Sequence, residues 1–234
     1  MLAFAPRARL PARPAAPPAY VELVATSNFS FLRGGSHPEE LVVGAAVAGL
    51  GGLGLCDRNS FAGVVRAYVA LRDMERRPEG FRYLVGTRLC FADGTPDIVA
   101  YPTDRAAYGR LCKLLSVGNA RGEKGSAKLG FADLLDAEPP VAPRLAGTDE
   151  RVAGTAEGPA IPYCEGQLFI VMADEAAWEK SEEVLRALAA RAPGRVWLAG
   201  YCSYRGSDRA RLNRLADLAR RCGVPMIATN DVLY

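Results

Sequence analysis

Histidine is nearly missing from this chain: His37 is the only one in 234 residues. That excludes any site needing two or more imidazoles, including the usual multi-histidine zinc centres. The six cysteines (Cys56, Cys90, Cys112, Cys164, Cys202, Cys222) form no CxxC pair. Most sit in apolar runs, so they read as buried, reduced thiols of a cytoplasmic protein rather than disulfides. No stretch approaches the roughly 18 apolar residues of a membrane span, and no membrane partner is expected. The glycine- and lysine-containing run Gly118–Lys128 lacks the GxxxxGK[ST] spacing of a phosphate loop, and reads as a surface loop. Excess charge is scarce too. Arg7, Arg9 and Arg13 in the leader account for the whole net charge of +3, so the rest of the chain is no strong nucleic-acid binder on charge alone.

What is present is a repeated plan of short apolar strand, loop and amphipathic helix. Residues 1–19 are rich in Ala, Pro and Arg and are expected to be a disordered leader. Residues 20–234 then read as one domain, with an extended Pro/Gly/Ala-rich connection at about 137–160. Strands are expected near 21–25, 53–56, 82–91, 96–101, 167–172, 195–200 and 224–228. Ala92-Asp93-Gly94-Thr95 marks a hairpin between the third and fourth. Helices are expected at 38–49, 61–74, 103–117, 131–136, 174–191 and 207–222. Ser36 with Glu39 reads as a capping box for the first, and His37 as a capping-region residue. Thr103 is the expected cap of the third, with Tyr108, Leu111, Leu114 and Leu115 facing inward. On the last helix Leu212, Leu215, Leu218 and Cys222 form the apolar stripe and the arginines its solvated face. Trp178 and Trp197 read as packing residues, not a base-stacking platform. Six or seven strands wound by right-handed crossovers predict an α/β barrel, mainly parallel. Such barrels place chemistry at the C-terminal ends of their strands. Asp57, directly after the second strand, is thereby a candidate metal ligand or base. The alternatives are pairing with Arg58 or capping the next helix with Asn59 and Ser60.

Six strings occur in order: YVELVATSNFSFLRGG at 20–35, SHPEEL at 36–41, DRNSFAGVV at 57–65, VGTRL at 85–89, YGRLCKLL at 108–115 and ATNDVLY at 228–234. Together they resemble the amino-terminal PHP (polymerase and histidinol phosphatase) domain of bacterial C-family DNA polymerases, in particular the error-prone branch. The resemblance implies a distorted (β/α)7 barrel, incomplete at its C-terminal end. In active members it implies about three divalent metals and phosphoester hydrolysis. Matched position by position, the first-strand His-x-His pair falls on Val24 and Thr26. The Asp-His step falls on Asp57 and Arg58, the Gly-x-Glu glutamate on Arg88, and a histidine before the fourth strand on Asp97. The penultimate His-Gly falls on Arg205-Gly206, and the closing Asp-x-His on Asp231 and Leu233. Cations and apolar groups replace most ligands, so the resemblance implies a vestigial pocket with no metal and no catalytic residue in this chain. Arg58 and Arg88 are expected to pair with Asp57 and Asp231 in place of the metals.

The implied whole enzyme is a translesion-type DNA polymerase acting in DNA damage and repair, with its magnesium-binding carboxylates beyond Tyr234. The implied partners are the remainder of the polymerase chain, DNA through the full enzyme, and DNA-damage-response proteins. Two alternatives stand beside this. One is an active metal-dependent phosphoesterase or 3'-5' exonuclease using Asp57, Asp97 and Asp231. The other is a stand-alone DNA-repair interaction module.

Overall fold

The computed structural model describes residues 20–75, 78–123, 125–136, 160–204 and 206–231. The leader, nearly all of the 137–160 connection, Arg205 and Leu233 lie outside the described residues. Seven strands form one curled sheet in chain order: β1 (Val21–Ala25), β2 (Gly52–Arg58), β3 (Arg82–Leu89), β4 (Ile98–Pro102), β5 (Gln167–Val171), β6 (Val196–Gly200) and β7 (Met226–Ala228). All neighbours are parallel except β4, which runs antiparallel to both β3 and β5. The hairpin read from Ala92–Thr95 requires that reversal, since a short turn cannot join parallel strands. Among the described residues there are six helices: α1 (Pro38–Val47), α2 (Val64–Arg72), α3 (Arg105–Arg121), α4 (Phe131–Leu135), α5 (Trp178–Arg191) and α6 (Asp208–Cys222).

Strand alternation divides the core in two. Val24, Cys56, Val99, Tyr101, Ile170, Met172 and Ala199 fill the barrel interior. Leu53, Leu55, Leu89, Ile98, Phe169, Val171 and Leu198 point outward, where the helices cover them. Tyr101 crosses the interior and donates its hydroxyl to the Leu23 carbonyl at 2.6 Å. Glycine at positions 54 and 86 makes room for it: a Cβ on Gly54 would fall 1.9 Å from the Tyr101 hydroxyl, and one on Gly86 2.6 Å from its ring.

The sheet does not close by backbone pairing. Among the described residues β1 pairs with β2 alone and β7 with β6 alone. The seam is spanned instead by Glu22, whose half-buried carboxylate accepts hydrogen bonds from the Thr229 hydroxyl (2.6 Å) and the Asn230 N–H (3.1 Å). The Val24 N–H (2.7 Å) and the Tyr20 hydroxyl (2.6 Å) fill its remaining lone pairs.

Four local expectations shift. His37, not Ser36, is the N-cap of α1, so Glu40 rather than Glu39 accepts the cap N–H (2.8 Å) and Glu39 pairs with Arg66. Asp104, not Thr103, caps α3 by accepting the Ala107 N–H at 2.7 Å, while the Thr103 hydroxyl bonds the Gly166 carbonyl. Tyr108 sits at the edge of the inner face, its ring tilted against that of Phe61 with centroids 4.8 Å apart, and Ala107 takes the buried place. On α6, Arg211 is 5% exposed, held by Glu175 and the Tyr201 carbonyl with its guanidinium over the Tyr201 ring. Periodicity marks a helix face but not which arginine finds a carboxylate on a neighbouring loop. Trp178 is packed under Arg214 at 4.7 Å. All six cysteines are free.

Candidate functional site

The parallel strands deliver their C-terminal ends to one mouth, and the reversed β4 delivers its N-terminal end there. A cavity of about 960 Å³ opens at that mouth, lined by Thr26, Arg58, Arg88, Asp97, Tyr201 and Asp231 among others. Arg88 sits at its centre. Its Nε donates to Asp97 Oδ2 at 2.8 Å and its Nη1 to Asp231 Oδ1 at 2.5 Å. Arg58 Nη1 donates to the same Asp97 oxygen at 2.7 Å. The side chains of Arg88 and Asp231 are each 11% exposed, so this is no screened surface pair. Burial by itself would lower the Arg88 pKa. The charges of Asp231 and Asp97 outweigh it and hold the guanidinium above its usual range.

Asp57 takes no part in this network, which corrects the expected pairing with an arginine. Adjacent residues of a strand face opposite sides. Arg58 follows Cys56 into the interior, while Asp57 follows Leu55 to the helix side. There, 1% exposed, its carboxylate accepts from the Ser27 N–H, the Ser27 hydroxyl and the Ser30 hydroxyl, all at 2.9 Å. Ser30 in turn accepts the Arg58 N–H at 2.9 Å. Asp57 thus caps neither α2 nor its own loop; it fastens the loop that follows β1. Gly63 makes way for it, since a Cβ there would lie 2.7 Å from Asp57 Oδ2.

Two residues that were not read as part of the site position the cluster. Asn59, at φ +47°, clamps the end of β2 to the end of β3. Its side chain bonds both the N–H and the carbonyl of Cys90, and its own N–H bonds the Arg88 carbonyl. Glu22 holds Thr229 and Asn230, directly before Asp231. An Asn just past a strand is a recognisable left-handed turn residue. Nothing local in the sequence points to the partner of Glu22, some 200 residues away.

The donors present do not fit a cluster of divalent metals. Val24 is apolar and 1% exposed, and Thr26 offers a hydroxyl only. Asp97 and Asp231 are engaged by guanidinium groups whose fixed charge opposes a dication, and Asp57 faces away. Among the described residues, no group of three or more His, Cys, Asp or Glu side chains is arranged to hold a metal. Burial pushes the Cys90 thiol up to about 12 and raises Cys56 as well, so neither offers a ready thiolate.

No family model matches the chain. Over 93% of its length it is 46% identical to an error-prone DNA polymerase of Rhodopseudomonas palustris and 43% identical to one of Caulobacter vibrioides. Over that length the chain is similar to a segment of the error-prone DNA polymerases. It spans about a fifth of the length of the curated relatives it matches. The fold of the chain is similar to that of a protein from Bifidobacterium adolescentis assigned as a metal-dependent phosphoesterase. The TM-score is 0.53, with 16% identity over 94% of this chain and 90% of that one. The incomplete α/β barrel expected from the sequence is therefore the fold of the chain. Among its described residues, no helix is long and apolar enough to cross a membrane.

Proposed function

We propose that the chain is the amino-terminal PHP segment of a translesion-type DNA polymerase, and that the segment itself is a metal-free structural module with a vestigial pocket. The observation that carries this reading is Arg88, lodged between Asp97 and Asp231 where a cation would neutralise the same two carboxylates. The whole enzyme, on this reading, extends a DNA primer with magnesium held by carboxylates elsewhere in the longer protein. It works in the cytoplasm with DNA, and DNA-damage-response proteins are its wider partners. The names of the relatives support the polymerase context, and the donor set supports the loss of metal chemistry.

Calorimetric titration with manganese or zinc tests the vestigial pocket. No specific binding in the sub-micromolar range is expected. Such binding, lost in Asp97→Asn or Asp231→Asn, would restore the phosphoesterase or exonuclease alternative. Hydrolysis of a chromogenic phosphodiester with added manganese is the matching activity assay.

A further inference from the structure

We draw no further inference here: the strongest candidate, the groove of about 470 Å³ between α1 and β1 that Leu41, Gly44, Ala45, Ala48 and Leu50 line, is an unpartnered apolar face, and nothing in the structure shows what covers it.

Discussion

Asp57 shows how much one residue can conceal in a sequence. Its place after a core strand marked it as a candidate for chemistry, and the Asp-Arg step suggested a local ion pair. Pleating sends the two side chains to opposite faces, so Asp57 spends its oxygens on Ser27 and Ser30. Removing a buried carboxylate that accepts several bonds leaves those donors unpaired. Asp57→Ala should therefore cost about 2–4 kcal/mol, lowering the melting temperature by on the order of 5–15 °C. Calorimetry measures this directly. A variant that keeps its melting temperature but loses a measurable hydrolysis rate would contradict the structural role. Arg88 was legible as a lost ligand, and its pairing with Asp231 was anticipated. Its second partner, Asp97, was not, although the hairpin between β3 and β4 brings the two side chains within reach.

At the level of elements, alternation and turn chemistry were enough to read seven strands, the hairpin and the helices. Caps were less legible. Each of α1 and α3 offers two adjacent polar candidates, and which one caps depends on backbone geometry at that residue. Neither glycine of the Tyr101 slot was marked out, since a strand glycine announces a close approach without naming what approaches. The slot gives a paired prediction. Gly54→Ala should destabilise the fold markedly, because its Cβ meets the Tyr101 hydroxyl. In a Tyr101→Phe background the same substitution should cost less, and a double-mutant cycle in urea measures the difference. Equal costs in the two backgrounds would mean that the interior yields elsewhere.

For the molecule as a whole, the barrel and its incomplete closure followed from strand count and family likeness, but the means of holding the seam did not. Two edge strands joined by one carboxylate form the weakest line in the sheet. Glu22→Ala should speed hydrogen exchange in β1 and β7 and at Thr229–Asp231, with β3–β5 unchanged. A uniform rise across the sheet would show instead that the seam is not a separate unit of stability. The Glu22 bridge also bears on how the chain folds. It joins residues separated by more than two hundred positions, and loop closure over that span must precede any reward from the contact. At about 5–20 residues per second of synthesis, β1 would wait roughly 10–40 seconds for Thr229 to be made. During that interval an edge strand with an unsatisfied carboxylate is on offer to any other chain. Its charge discourages wrong pairing at that edge, so the residue that finally closes the barrel also guards it while it is open.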